Sequence, residues 1–243
     1  MNAYRDRIYA NYASLVQDAA PEFNPDTARR WGRAYDFYFK GWLPSDKNAS
    51  IVDLACGGGG MLFFFKERGY SKISGVDVSP SQVKLARQVV PDVSEGSVFE
   101  FLESRAGQFD FITGLDIVEH FTKDEGIRFL DGCRNALKPG GRLVLQTPNA
   151  DSPLIASVRY GDFTHEVCFN PNSLGRLLKI CGFAAPECRE MGPPKGYGAA
   201  ATLRGWLWRI LRLKLMLWNR IETGNSGSGV FTRVFAVSAI KPQ

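Results

Sequence analysis

The stretch Ile51-Val52-Asp53-Leu54-Ala55-Cys56-Gly57-Gly58-Gly59-Gly60 decides the fold. A short apolar run, too brief for a helix, ends in four glycines, and residues 61–68 continue with helical patterning. Glycine lets a backbone adopt conformations that other residues resist and lets it approach a ligand closely. Twenty residues beyond Gly57, a second strand, Lys72-Ile73-Ser74-Gly75-Val76-Asp77, ends in a carboxylate suited to accept hydrogen bonds from a ribose diol.

The same alternation continues outward. Ser79-Pro80-Ser81-Gln82 has the form of a capped helix start, with Ser79 as cap and Gln82 three residues on. Phe109-Asp110-Phe111-Ile112-Thr113 reads as a strand. Thr122-Lys123-Asp124-Glu125 is a second capping box, opening a helix that ends near Lys138-Pro139-Gly140-Gly141. Arg142-Leu143-Val144-Leu145-Gln146 is a strand, residues 170–181 a capped helix stopped by Gly182, and residues 183–190 and 232–240 two further strands. Residues 1–45 read as a helical arm, with Tyr4, Ile8, Tyr12, Leu15 and Val16 at helical spacing and Trp31, Tyr35, Tyr38 and Phe39 resuming it after Pro25. Strands alternating with helices imply an α/β fold whose mostly parallel sheet is covered on both faces. At 243 residues the chain accommodates one substantial core with small additions. The expected organisation is an arm over 1–45, a ligand-binding core over 46–190, an insertion over 191–229 and the last strand over 230–243.

In such sheets ligands bind beyond the carboxyl ends of the strands, where strand order reverses. The dinucleotide pattern GxGxxG fails because Leu62 stands at its last position, and the phosphate loop fails because Met61 follows Gly60. No basic residue lies in the turn, so a nucleoside without phosphates suits it better than one with them. With Val52-Asp53-Leu54-Ala55-Cys56-Gly57-Gly58-Gly59, Gly75-Val76-Asp77-Val78-Ser79, the segment from Phe109-Asp110 to Glu119-His120, and Leu137-Lys138-Pro139-Gly140-Gly141, the chain resembles the class I S-adenosylmethionine-dependent methyltransferases. The resemblance covers about residues 48–190 and the final strand. It implies a Rossmann-like seven-stranded sheet, with an amino-terminal helical arm and a helical insertion before the last strand. It also implies S-adenosyl-L-methionine as cofactor, with Asp53, Ala55, Gly57 and Gly59 along its methionine and ribose portion and Asp77 on the ribose hydroxyls. Val78, Ser97, Val98 and Gly114 complete the expected cofactor set. Ser97 stands where the family often places an acidic residue near the adenine, and Ala55 replaces a common glycine.

Gly114-Leu115-Asp116-Ile117-Val118-Glu119-His120 lies where the fourth strand meets the cleft. Methyl transfer to an alcohol needs a base as well as alignment, and His120 and His165 are the candidates because histidine titrates near neutral pH. Asp116, Glu119 and His120 are alternatively a divalent-cation set, since positions i, i+3 and i+4 of a helical turn share a face. That spacing is similar to the magnesium-binding segment of ubiquinone-biosynthesis O-methyltransferases. A structural role, ordering the cleft, is the plainer alternative. His165 sits in the polar loop Gly161-Asp162-Phe163-Thr164-His165-Glu166, and Tyr9 and Tyr12 of the arm are expected either to close the site or to pack in the core.

The net charge of +5 belongs to one segment. Residues 191–221 hold Lys195, Arg204, Arg209, Arg212, Lys214 and Arg220 without an acidic side chain, leaving −1 for the remainder. Within residues 203–221, Arg204, Arg209, Arg212 and Arg220 fall on one side of a helical wheel and Leu203, Trp206, Leu207, Ile210 and Leu217 on the other, with Lys214 out of pattern. Such a helix suits contact with an anionic membrane surface; packing on its own domain or in a homodimer is the alternative. Nucleic acid is not expected as a partner, because the leucine-rich neighbours would stay exposed. The first seven residues lack the apolar core of a signal peptide, and no 18-residue apolar run occurs. The five cysteines are odd in number and lack CxxC spacing, which fits free thiols in a cytoplasmic, reducing setting, at most at the inner face of the cytoplasmic membrane. The expected activity is O-methylation of a sugar hydroxyl on a bacterial cell-surface glycan or lipid-linked saccharide. The alternatives are a lipid-soluble phenol such as a quinone precursor as acceptor, or a non-catalytic scaffold of the same fold.

Overall fold

The computed structural model describes Tyr4, Ile8 and residues 22–194 and 198–243. Tyr4 and Ile8 are helical, whereas Tyr9, Tyr12, Leu15, Val16 and Lys195 lie outside the described residues. Seven strands form one sheet: β1 (Ser50–Leu54), β2 (Lys72–Asp77), β3 (Val93–Glu95), β4 (Phe109–Leu115), β5 (Leu137–Pro148), β6 (Ala184–Glu190) and β7 (Val234–Ile240). Their order is β3-β2-β1-β4-β5-β7-β6, with every neighbouring pair parallel except those made by β7. The order reverses between β1 and β4, so the carboxyl ends of these two strands flank a crevice.

The helices are α1 (Pro25–Tyr38), α2 (Gly60–Glu67), α3 (Pro80–Ala86), α4 (Val98–Glu103), α5 (Lys123–Ala136), α6 (Ala156–Arg159), α7 (Pro171–Ile180) and α8 (Ala199–Thr223). Successive strand residues point to opposite sheet faces. Val52, Leu54, Ile112, Leu143, Leu145 and Val237 therefore join the core under α5 and α7, with Phe129, Leu130, Leu174 and Leu178. Ile51, Phe111, Val144 and Ala236 turn the other way, onto Tyr35, Phe39, Trp42, Phe64 and Phe65 from α1, α2 and their flanks. The carboxyl part of the expected arm is thus half of a core. Trp31 departs from this pattern: it is 65% exposed, at the rim of the crevice.

Local signals act as read, with two exceptions. Thr122 and Glu125 close both limbs of their capping box, Asn170 caps α7 with Ser173 completing a box there, and Asn24 adds a cap at α1 that was not among the expected ones. At α3 the expected box does not form. Ser79 makes no side-chain cap bond, its own N–H donates to Asp77 at 2.9 Å, and Gln82 is buried toward the crevice. The segment Lys138-Pro139-Gly140-Gly141, expected to end a helix, lies inside the long β5. There Gly140 takes φ +76° and the register against β4 shifts between Phe109 and Phe111.

The glycine turn is built for close packing. Gly59 has φ +90°, and a Cβ there would lie 3.0 Å from Ala86 Cα and 3.2 Å from Ala86 Cβ on α3. Gly59→Ala combines backbone strain with a backbone clash, so chemical denaturation should show it less stable by about 2–4 kcal/mol. Gly60→Ala, where a Cβ meets nothing within 4 Å, is the control and should change stability little.

Candidate functional site

The crevice between β1 and β4 opens into two adjoining cavities of about 560 and 480 Å³, both lined by Ala55, Gly57, Gln82, Leu115 and Asp116. The first adds Trp31, Tyr35 and Asp53; the second adds Asp77, Val78, Ser97, Val98, His120 and His165. Most of the expected cofactor residues therefore meet around one space. Gly59 and Gly114 do not line it. Gly59 carries α3, and a Cβ on Gly114 would lie 3.0 Å from Ile117 and 3.2 Å from Leu145, so both glycines serve packing.

Asp77 organises the turn. One carboxylate oxygen accepts from Gly57 N–H at 2.8 Å and the other from Ser79 N–H at 2.9 Å. Ala55 and Gly57 both take left-handed backbone conformations, φ +53° and +50°. Alanine in this conformation thus stores about 1–2 kcal/mol of strain beside the cavity. Asp53 at the end of β1 is buried and accepts from Thr113 Oγ1 at 2.6 Å. Ser97 caps α4 through Phe99 N–H at 3.2 Å, leaving its hydroxyl hydrogen to donate to a ligand.

The charge of this space is one-sided. Burial pushes Asp53 up to about 7, and it raises Asp77 and Asp116 as well. No Lys or Arg among the described residues lines either cavity. Buried carboxylates without cations favour a positively charged ligand and disfavour phosphate. A larger hollow of about 870 Å³ lies between α8 and the β6 edge, and it contains none of the turn residues.

The wall opposite the turn carries the histidines. Val118–His120 form a 3-10 turn after β4. The loop bearing His165 is sewn to that turn, since Glu166 and Val167 N–H both donate to Glu119 O, at 2.8 and 3.1 Å. The Tyr4 hydroxyl binds the Glu166 carboxylate and its ring meets Phe163 edge-on at 6.0 Å, so the arm does reach this loop. The imidazoles of His120 and His165 lie 4.8 Å apart, centroid to centroid. Thr164 Oγ1 sits 2.6 Å from Asp162 Oδ1 and 2.8 Å from His120 Nδ1. A carboxylate only accepts, so the hydroxyl donates to Asp162 and must accept from His120 Nδ1–H, which makes Nε2 the basic nitrogen.

The cation set expected from spacing was Asp116, Glu119 and His120. The structure instead groups Glu119, His120 and His165, whose candidate ligand atoms all lie within 4.8 Å of one another. Asp116 leaves the set because it precedes the 3-10 turn in a left-handed conformation, φ +52°, and accepts from Gln146 Nε2 at 2.8 Å. The polar accounting fits a cation: Glu119 Oε1 and His165 Nδ1 are buried without a hydrogen-bond partner, and burial holds the Glu119 carboxyl well above its usual range. Two imidazoles with one carboxylate suit a borderline ion better than magnesium, which prefers oxygen. Sequence reading also missed the buried chain in which Tyr35 donates to Gln146 at 3.1 Å and Gln146 to Asp116. Its members stand far apart in sequence, so no local pattern announces it.

A family model described as a methyltransferase domain matches residues 10–186. Over 107 residues the chain is 34% identical to a ubiquinone biosynthesis O-methyltransferase from Xanthomonas axonopodis pv. citri, a match covering 42% of this chain and 44% of that protein. The matched part thus spans less than half of that relative's length. Among solved structures, an S-adenosylmethionine-dependent methyltransferase from Archaeoglobus fulgidus superposes with TM-score 0.65 at 20% identity, covering 99% of this chain and all of that one. Phosphoethanolamine N-methyltransferase 2 from Haemonchus contortus, solved with S-adenosyl-L-methionine, gives TM-score 0.60 at 16% identity over 97% of this chain and 60% of that one.

The buried carboxylates yield a signed prediction. The Asp53 carboxyl is neutral below about pH 7 and ionises above it, so attraction for a sulfonium should strengthen as pH rises from 6 to 8. In calorimetric titrations with S-adenosylmethionine, the ratio of wild-type to Asp53→Asn affinity should rise across that window. A constant ratio would show that Asp53 does not meet the ligand's charge.

Proposed function

This chain belongs to the methyltransferase-domain family of class I S-adenosylmethionine-dependent enzymes, and we propose that it transfers a methyl group from S-adenosylmethionine to a hydroxyl oxygen. The observation that carries this reading is the opposition of two features across one cleft. An anionic, phosphate-averse turn stands on one wall, and on the other stand two neighbouring imidazoles, of which His120 is oriented by a hydrogen bond to Thr164.

The cofactor would lie against Gly57 and Gln82, its ribose on Asp77, its adenine between Val78, Ser97 and Val98, and its cationic end toward Asp53. The acceptor oxygen attacks the methyl carbon in line as the carbon–sulfur bond breaks and sulfur keeps the electron pair. The hydroxyl proton passes to the imidazole of His120, oriented by Thr164 and Asp162, or to that of His165. Alignment supplies much of such a rate, and a general base adds about 10²–10⁴-fold. A divalent ion held by Glu119, His120 and His165 would, when bound, polarise the acceptor oxygen as a Lewis acid.

For the acceptor, our reading is a sugar hydroxyl of a bacterial cell-surface glycan or lipid-linked saccharide. The oriented imidazole supports it, because an alcohol is less acidic than a phenol and gains more from a base. The second reading, a lipid-soluble phenol such as a quinone precursor, is supported by the relative from Xanthomonas and by Glu119-His120 in this chain. Mass spectrometry of glycan and lipid extracts from cells with and without the protein distinguishes them by which fraction carries the added methyl group. A scaffold role would be favoured if calorimetry detects no S-adenosylmethionine binding.

Asp77→Ala should raise the cofactor KM at least tenfold. His120→Ala should lower turnover by about 10²–10⁴ with cofactor binding retained. Full turnover in both His120→Ala and His165→Ala would refute the base assignment. Chelation separates the imidazoles' two roles: turnover that survives EDTA assigns them as base, and turnover lost to EDTA and restored by a divalent ion assigns them as ligands.

A further inference from the structure

α8 is a 25-residue helix without a single buried residue, about 37 Å long at 1.5 Å per residue. It is nevertheless fixed in rotation. Ala201, Gly205, Trp208, Arg212, Leu215, Met216 and Asn219 form the half-buried stripe, and three of them are tied down. Trp208 Nε1 donates to Glu190 Oε2 at 3.1 Å, Arg212 Nε to Gly229 O at 2.7 Å, and Asn219 Nδ2 to Asn225 O at 2.9 Å. Of the arginines on the basic side of the helical wheel, Arg212 is the half-buried one and belongs to the anchored stripe.

Rotating 180° from that stripe reaches Leu203, Trp206, Leu207, Ile210, Leu217 and Ile221, all of them exposed, Trp206 at 60% and Ile221 at 77%. This apolar band follows the length of the helix. Arg209 and Arg220 border it on one flank and Arg204 on the other, and Lys214 rises within it. The only acidic residue on the helix is Glu222, and it accepts from Trp218 Nε1 at 3.2 Å. The domain thus turns an apolar face with cationic edges outward and holds it there. Leaving such a band in water is costly, and continuous exposed apolar surface marks a contact site.

We propose that the outer face of α8 lies in the surface of an anionic lipid bilayer, with Trp206, Ile210 and Leu217 among the acyl chains and Arg204, Arg209, Lys214 and Arg220 at the headgroups. Charge selects this occupant. Two copies of α8 packed face to face would oppose cations to cations across a low-dielectric seam, whereas anionic headgroups complement every edge residue. The helix lies on the bilayer and does not cross it, since no helix among the described residues is long and apolar enough to span a membrane. The inference is independent of the acceptor and of the assigned base.

The test is co-sedimentation of the whole protein with vesicles of phosphatidylcholine alone or with one third phosphatidylglycerol. It compares wild type with Trp206→Ala/Ile210→Ala/Leu217→Ala and with Arg209→Gln/Lys214→Gln/Arg220→Gln. All six side chains are exposed, so both variants should keep the fold, which their S-adenosylmethionine affinity checks. Wild type should partition onto the anionic vesicles at least tenfold better than onto neutral ones and be released by high salt. The charge variant should lose about a hundredfold on anionic vesicles, and the apolar variant at least tenfold. Equal partition of all three proteins, or equal binding to both vesicle types, would overturn the proposal. So would concentration-dependent dimerisation without lipid that the apolar variant abolishes, which would assign the face to a second copy.

Discussion

The Asp77 carboxylate holds the functional end of the sheet together. The glycine turn after β1 and the start of the connection after β2 each present a backbone N–H that needs an acceptor, and Asp77 supplies one oxygen to each. Two strand ends that would otherwise be joined only by the sheet are thereby locked at one spacing. Both bonds favour the ionised form, while burial, the larger effect, raises the carboxyl above its usual range. The positive φ angles at Ala55, Gly57 and Gly59 belong to the same arrangement: the chain must reverse tightly to bring Gly57 N–H to Asp77 and to let α3 press against Gly59.

Around this lock the protein concentrates carboxylates and withholds cations. Asp53, Asp77 and Asp116 are all raised by burial, and Asp116 in turn raises Glu119. An empty cleft of this kind is electrostatically unfavourable, which is a common feature of sites made for charged ligands. The neutral chain Tyr35–Gln146–Asp116 relieves part of the cost by giving Asp116 a donor without giving it a counter-charge. The negative potential stays available to a ligand.

The opposite wall is assembled from two loops that depend on each other. Glu119 O anchors the His165 loop, while Thr164 of that loop, held by Asp162, orients His120. Neither imidazole is placed by its own segment alone, so a substitution at Thr164 or Asp162 reaches His120 through hydrogen bonds rather than through bulk packing.

Much of this was legible in the chain itself. The strand–glycine–helix opening, the capping box at Thr122, the capped helix from Asn170, the carboxylate closing β2 and the long basic helix are local patterns, and local dihedral and hydrogen-bond preferences suffice to write them. The misreadings share one cause. Ser79 gives its N–H to Asp77, not to Gln82, Gly114 stands outside the cavity lining with its Cα packed near Ile117 and Leu145, and Asp116 leaves the helical face through its left-handed backbone. In each case a competing group, Asp77, Leu145 or Gln146, decided the outcome. The approach of His165 to His120, the bond from Thr164 to His120 across 44 residues, and the link from Tyr35 to Gln146 across 111 residues exist only once the sheet has brought those segments together. Sequence periodicity determines which face of an element is apolar. Only packing decides what that face, or a polar atom at its end, finally meets, because a buried polar group must find its partners among the groups that the fold brings within reach.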